Sequence, residues 1–394
     1  MRSPLRRVKR FAWRTISVFV DELVVYRAWY NATRSKTEWD RRNPNRIGLA
    51  SSDVLMRDSG LATAVEDPNW LIICPAWDTR PDEAWGPAGG HFFYELIETA
   101  RDRYGPDAVN HLRVDSGSNG WQDAVVGAAK ELNPSHILCQ IEIDPDGSGE
   151  WTYDILLSKL RKFWSGTFVM LLYDSVYHLH LARLDRITRR DPSCLVAAID
   201  RDVTGLYRGN AHCIGPLLLP ISRRSIDLLD ASTSTSGQSI DGDISFVGAT
   251  YDYRAKLLDE LTQVGIRVSA NPQIDNEGTS SYPSYIGALS ASGSTLNFAR
   301  AHIFNIPQLK CRVLEASAFG CVVFSDDEKL TGTYFTPGQE FVFFHSPEDL
   351  RMKLDYYKNH GEALEEIRVN ARAKARVLAS VSFWDEIDAG LAQN

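Results

Sequence analysis

The sequence predicts an α/β fold made of two successive units, each a parallel sheet covered on both faces by helices. Three observations predict it. Short apolar runs alternate with segments of helical period from residue 70 to residue 199, and strands of that kind are buried on both sides. The same alternation resumes at residue 244, after a crossing at 201–242 that contains Gly215-Pro-Leu-Leu-Leu-Pro220 and the polar run Ala231-Ser-Thr-Ser-Thr-Ser-Gly-Gln-Ser239. At 394 residues the chain is long enough to bury two separate cores.

In the first unit, strands are expected at 70–75, 108–114, 136–143, 167–173 and 194–199. Helices are expected from His91 through Ala100, and at 121–132, 153–164 and 178–188. The first helix follows Gly86-Pro-Ala-Gly-Gly90. Strand, Gly-rich loop and helix together let a backbone approach a ligand closely. The loop lacks the G-x-G-x-x-G spacing, so it is not a dinucleotide fingerprint. Ligands on parallel sheets gather at the C-terminal strand ends, and Asp78, His91, Asp115, Asp144, Asp174 and Asp200 all fall at or just after such ends.

Two polar clusters there have competing readings. Asp144-Pro-Asp146 is a D-x-D after a strand, as metal-dependent transferases use, and it also opens like a calcium loop. The calcium reading fails at loop position twelve, where Ile155 stands, and Asp-Pro-Asp-Gly is ordinary turn chemistry. In Tyr173-Asp-Ser-Val-Tyr-His178 and His180, the two histidines are two apart. A helix points such a pair away from each other, which argues against a shared metal. One His or Asp here serves as a general base, or Asp174 or Ser175 caps the helix.

In the second unit, strands are expected at 244–248, 266–269, 294–298, 321–325 and 341–344. Helices are expected around Leu257, Leu258 and Leu261, and at 285–289, 308–319, 347–358 and 362–380. The helix at 308–319 is the most informative. Leu309, Val313, Leu314 and Phe319 are apolar at helical spacing, Pro307 precedes it and Gly320 supplies its stop. Gln308, Lys310, Arg312 and Glu315 would occupy its first two turns, where the helix dipole disfavours cations unless an anion binds. A nucleoside diphosphate would suit them, with Lys310 and Arg312 on the phosphates and Glu315 accepting from ribose hydroxyls. A solvated, charged first turn is the plainer alternative.

The composition, 44% hydrophobic and 24% charged, is that of a soluble globular protein. No apolar run approaches the roughly 20 residues that span a bilayer. Six scattered cysteines look like buried thiols in a reducing compartment. Twelve Lys/Arg against four Asp/Glu lie within residues 1–46, although the whole chain carries −8. Basic charge confined to one end argues against a nucleic-acid partner. The apolar residues among those cations recur at helical spacing, and Asp21-Glu22 interrupt any secretory signal. Residues 1–30 are thus expected to form a basic amphipathic helix that lies on an anionic membrane surface or docks on the protein body.

From Asp243 onward the chain resembles the C-terminal domain of the GT-B glycosyltransferases, specifically the CgeB-like (spore maturation protein type) branch of the group-1 families. The resemblance rests on Ile244-Ser-Phe-Val-Gly248, Arg254, residues 285–289, Leu296-Asn-Phe-Ala-Arg300, Gln308-Leu-Lys-Cys-Arg-Val-Leu-Glu315 and Tyr334-Phe-Thr-Pro-Gly-Gln-Glu340, in the family's order and spacing. It implies two Rossmann-like domains facing across a cleft, preceded by the basic helical extension. The extension and linker would span 1–66, the acceptor domain 67–225, the donor domain 240–380 and a tail 381–394. A long last helix would return toward the first domain, with Trp384 as its anchor. The implied activity is transfer of a sugar from a nucleotide-sugar to a glycan, protein or lipid-linked acceptor, with no cofactor and no required metal.

The resemblance assigns Gly248, Arg254, Asn297, Arg300, Gln308, Lys310, Arg312 and Glu315 to the donor. His91, Asp78 and Asp174 are the acceptor-side catalytic candidates. The first glutamate of the family's pair would fall at Pro307, so no sugar-contacting carboxylate is implied there. That departure favours an alternative, a non-catalytic glycan- or nucleotide-binding protein on the same fold. A nucleotide-sugar epimerase or a phosphorylase shares the fold as well. The implied location is cytoplasmic, with peripheral attachment to the inner membrane face through residues 1–30.

Overall fold

A computed structural model describes residues 68–75, 91–114, 121–140, 152–173, 175, 178–203, 206, 211–232, 243–247, 252–271, 289–300 and 306–394. The first sheet contains β1 (Trp70–Pro75), β2 (Val109–Val114), β3 (His136–Gln140), β4 (Thr167–Leu172), β5 (Leu195–Ala198) and β6 (His212–Ile214). Its order is β2-β1-β3-β4-β5-β6, and all its pairings are parallel. The intervening helices are α1 (His91–Tyr104), α2 (Trp121–Leu132), α3 (Thr152–Leu160) and α4 (His178–Arg190), and α5 (Arg223–Ser232) follows β6.

The second sheet contains β7 (Asp243–Val247), β8 (Arg267–Asn271), β9 (Ser294–Asn297), β10 (Val322–Ser325) and β11 (Val342–Phe343). Its order, β8-β7-β9-β10-β11, repeats that of the first five strands, again all parallel. Its helices are α6 (Asp252–Gln263), α7 (Arg312–Ala318), α8 (Pro347–Asn359) and α9 (Gly361–Gln393).

The strands sort their side chains by the two-residue period of the pleat. In β4, Phe168, Met170 and Leu172 enter one core while Val169 and Leu171 enter the other. In β10, Val322 and Phe324 face one core and Val323 the opposite one. Burial on both faces is what the near-continuous apolar runs predict.

α9 ties the two sheets together. Leu364 and Ile367 pack with one core of the second sheet, and Ala375, Leu378 and Ala379 with its other core. Phe383, Trp384 and Ile387 then join a core of the first sheet. Trp384 Nε1 donates to Thr99 Oγ1 of α1 at 3.0 Å, and Arg103 pairs with Asp385 and Asp388, each at 2.7 Å. The helix expected over 362–380 therefore continues to Gln393. No proline interrupts 381–393, and its apolar face has the first sheet to cover.

Several further boundaries differ. α7 begins at Arg312, not Gln308, because Gln308 N donates to Ala299 O at 2.7 Å and Leu309 N to Asp200 O at 2.6 Å. Those bonds hold 308–310 outside any helix. β6 and α5 lie within the stretch read as a crossing. Gly215 there has φ +135°, and a Cβ would stand 2.3 Å from Ala198 O. Only glycine fits that approach.

Candidate functional site

The order of the second sheet reverses between β7 and β9, and ligands of such sheets bind outside the strand ends at that point. The ends are Val247 and Asn297. Gly248 and the Tyr285 segment lie outside the described residues. Phe246, one residue inside the end of β7, is fully buried and collects two cations. The Arg254 guanidinium, from the first turn of α6, lies 6.0 Å from its ring centroid. The Arg312 guanidinium, at the start of α7, lies 5.3 Å from the same ring. An aromatic face attracts each cation, but it supplies no hydrogen-bond acceptor lone pair. Arg312 Nε and Nη1 are buried with no hydrogen-bond partner among the described residues. Two like charges on one ring, with these two Arg312 donors unfilled among the described residues, form a setting that an anion would complete.

Beside them, Asp326 follows β10. Tyr253 OH donates to Asp326 Oδ2 at 2.5 Å, and Ala299 N to Oδ1 at 2.7 Å. Burial pushes the Asp326 carboxyl above the usual range, against the lowering pull of these two hydrogen bonds and of Arg300. Burial likewise raises the Tyr253 phenol, with Asp326 adding to the shift.

The remaining candidates divide. Asn297 is fully buried, and its Nδ2 donates to Ser325 Oγ at 3.1 Å across the β9–β10 register. It braces the strand ends, while its Oδ1 is buried with no hydrogen-bond partner among the described residues. Arg300 forms an antiparallel bridge with Pro307. Glu315 is only 7% exposed, on the buried face of α7. The Cys311 thiol is pushed up to about 12, by burial first and by Glu315 second.

Gln308 and Lys310 do not share a helical turn with Arg312, so the dipole argument for them fails. α7 is seven residues long and its N-cap, Cys311, makes no side-chain cap bond. The two residues are instead organised by the first sheet. Gln308 Nε2 donates to Asp200 Oδ2 at 2.7 Å, and Lys310 Nζ donates to Gln308 Oε1 at 2.5 Å. Asp200 Oδ2 also accepts from Ser175 N and Ser175 Oγ, both at 2.9 Å. Arg201 Nε donates to Ser175 Oγ at 2.6 Å and Arg201 Nη2 to Ser175 O at 2.8 Å. Burial lowers the Arg201 guanidinium, and Asp200 opposes the shift.

On the acceptor side, Asp78, Asp174, Asp115, Asp144 and Asp146 lie outside the described residues, and so do residues 1–30. His91 is the first residue of α1, and its side chain also falls outside the description. Ser175 is not the cap of α4, since it serves Asp200 and Arg201 three residues before that helix starts. Tyr253, Asp326 and Arg201 are not among the sequence candidates, Phe246 enters only within the Ile244-Ser-Phe-Val-Gly248 motif, and Asp200 only by its place after a strand. Asp326 and Asp200 each follow a strand closely, which is the one signal that marks them.

Residues 238–387, which include the whole second sheet, match a family model described as glycosyl transferase-like. No curated protein matches the chain. Among solved structures, HepE of Anabaena in complex with UDP and glucose is similar at 14% identity. That match covers 83% of this chain and 100% of that one, at a TM-score of 0.52. The same protein in complex with UDP-glucose gives 14% identity, 82% and 100% coverage and a TM-score of 0.51. Sucrose-phosphate synthase of Thermosynechococcus elongatus gives 13% identity, 83% and 98% coverage and a TM-score of 0.50. Residues 238–387 are thus similar to a glycosyl transferase-like family, and the α/β fold of two parallel sheets is similar to that of these solved structures. Among the described residues, no helix is long and apolar enough to cross a membrane.

Proposed function

We propose that the chain is a glycosyltransferase of the CgeB-like group-1 type, moving a sugar from a nucleotide-sugar to a glycan, protein or lipid-linked acceptor without an obligatory metal. The observation that carries this reading is the Arg254–Phe246–Arg312 arrangement at the reversal point of the second sheet, with Arg312 Nε and Nη1 buried and without a partner among the described residues. Its neighbours in fold, solved with UDP or UDP-glucose, support a nucleotide-sugar as the ligand.

The chemistry follows from the charge. As the bond from the anomeric carbon to the phosphate oxygen breaks, negative charge builds on the departing nucleoside diphosphate. Arg254, Arg312 and Lys310 meet that charge, and fixed cations in a water-poor site stabilise it more in the transition state than in the ground state. The Gly248 loop approaches the phosphates and Glu315 receives the ribose hydroxyls. The acceptor hydroxyl attacks the anomeric carbon and gives its proton to His91, Asp78 or Asp174, which hold the acceptor side. In this reading residues 67–225 bind acceptor and residues 240–380 bind donor. Residues 1–30 rest on an anionic membrane surface, so deleting them should abolish co-sedimentation with phosphatidylserine vesicles.

The direct test is release of nucleoside diphosphate from UDP-, GDP-, ADP- and dTDP-sugars in EDTA. Release above the buffer blank with one donor supports transfer or donor hydrolysis. Interconversion of the sugar while it stays on its nucleotide identifies the epimerase instead. Pro307, in place of the family's first glutamate, favours the second reading of a binding protein without turnover. Tight nucleotide binding with no release would establish it.

A further inference from the structure

The chain Asp200–Gln308–Lys310 joins the two sheets through one amide group. Asp200 follows β5 of the first sheet, while Gln308 and Lys310 precede α7 of the second. The Gln308 side chain donates N–H to the carboxylate and accepts the ammonium on its carbonyl. Asp200 and Gln308 are each only 2% exposed. Both bonds to the amide run in the direction that polarises it, since the cation pulls on the oxygen and the anion on the N–H.

A lysine amine on a four-carbon stem samples many rotamers, and ordering it costs free energy when an anion binds. An amine already held by an acceptor has that cost removed in advance. The backbone is tied at the same place, because Leu309 N donates to Asp200 O. Ser175 fixes the carboxylate from its own side with two bonds, and Arg201 fixes Ser175 with two more. Every link is a hydrogen bond between named atoms, from a strand end in the first sheet to a cation in the second.

We propose that Asp200 is a positioning residue for Lys310, acting through the Gln308 amide, so that a carboxylate of the first sheet sets the placement of a donor-side cation of the second. The consequence for donor affinity rests on the donor reading given above. The placement of the amine does not. Affinity for a nucleoside diphosphate would then depend on the apposition of the two sheets as well as on the second sheet's own residues.

The test uses the full chain with Asp200→Asn and Gln308→Met, each checked for wild-type circular dichroism and melting. Gln308→Met keeps the volume and cuts both bonds, and Asp200→Asn keeps the shape and removes the charge. The first readout needs no ligand. The acetylation rate of the Lys310 amine by dilute acetic anhydride is followed by peptide mass spectrometry, with Lys353 and Lys374 as internal references. Releasing the amine from its acceptor is expected to raise the Lys310 rate about threefold or more in both variants. An unchanged Lys310 rate in folded variants overturns the proposal.

The second readout is UDP affinity in a double-mutant cycle. Gln308→Met should weaken UDP about tenfold in the wild-type background and have no further effect in Lys310→Ala. An equal loss in both backgrounds contradicts action through Lys310. If wild type binds no UDP, the affinity half of the proposal falls with the donor reading, and the acetylation rates still decide the positioning.

Discussion

Arg312 stands over Phe246 with its guanidinium 5.3 Å from the ring centroid, and its Nε and Nη1 find no hydrogen-bond partner among the described residues. A buried donor without a partner costs about 1–3 kcal/mol. A chain that keeps such a group trades stability for a ligand. Arg312→Met, which retains the stem over the ring, should leave the free protein as stable as wild type or more stable. The same change should weaken nucleoside diphosphate binding about tenfold or more, the loss of a charge-assisted contact. Urea unfolding without ligand checks the first half. A lowered midpoint would show that Arg312 is structural.

The closure of α9 onto the first sheet gives a second prediction. Trp384 is buried between Trp70, Tyr104 and Phe383, with ring centroids 5.0–5.6 Å from its own. Trp384→Phe removes the bond to Thr99 and should cost about 1 kcal/mol. Trp384→Ala also opens a cavity and should cost about 3–5 kcal/mol. Denaturant titration followed by circular dichroism checks both, and equal losses from the two changes would contradict the packing account.

Asp326 makes stability depend on pH. Its folded carboxyl is raised by burial, so the folded chain holds that proton more tightly than the unfolded chain does. Stability from this group is therefore fully present below the ordinary carboxylate range, and it declines as pH rises through the raised folded value. The melting temperature of wild type minus that of Asp326→Asn should fall as pH rises across that window. A difference that grows with pH would reverse the sign and sink the prediction.

Two glycines separate strain from entropy. A Cβ at Gly215 would meet Ala198 O at 2.3 Å with φ at +135°, whereas a Cβ at Gly361 meets nothing within 4 Å. Gly215→Ala should destabilise by about 1–3 kcal/mol or more. Gly361→Ala, at the start of α9, should stabilise by about 0.4–1 kcal/mol. Thermal melts of the two variants check the contrast.

The strands were legible because burial on both faces leaves an apolar run that little else explains, as in Phe168 to Leu172. α9 was legible in type but not in length, since its last turns are set by Phe383 and Trp384 meeting a sheet that ends at Ile214, far back in the chain. α5 escaped because its start is held from afar. Glu95 of α1 accepts from Ser222 N at 2.5 Å and from the Ser225 hydroxyl, which reinforces the local cap in which Ser225 N donates to Ser222 Oγ at 3.3 Å. β6 escaped because His212-Cys-Ile214 is three residues long and only half-buried at the sheet edge.

The site was half legible. Arg254 was singled out by its place in a family pattern and Arg312 by that pattern and its place near a helix start, but the ring that gathers them, Phe246, looked only like a core residue. Gln308 and Lys310 carry helix-like apolar spacing around Leu309, yet backbone bonds to Ala299 and Asp200 keep them out of α7. Those bonds join residues about nine and more than a hundred positions apart, beyond the reach of a local pattern.

The central claim is that Arg254, Lys310 and Arg312 receive a nucleoside diphosphate. Isothermal titration of wild type and Arg312→Met with UDP, GDP, ADP and dTDP, all in EDTA, tests it most directly. The account predicts that one nucleotide binds wild type and that Arg312→Met weakens it about tenfold or more while remaining folded. No binding by any nucleotide, or equal binding by the two proteins, would contradict it.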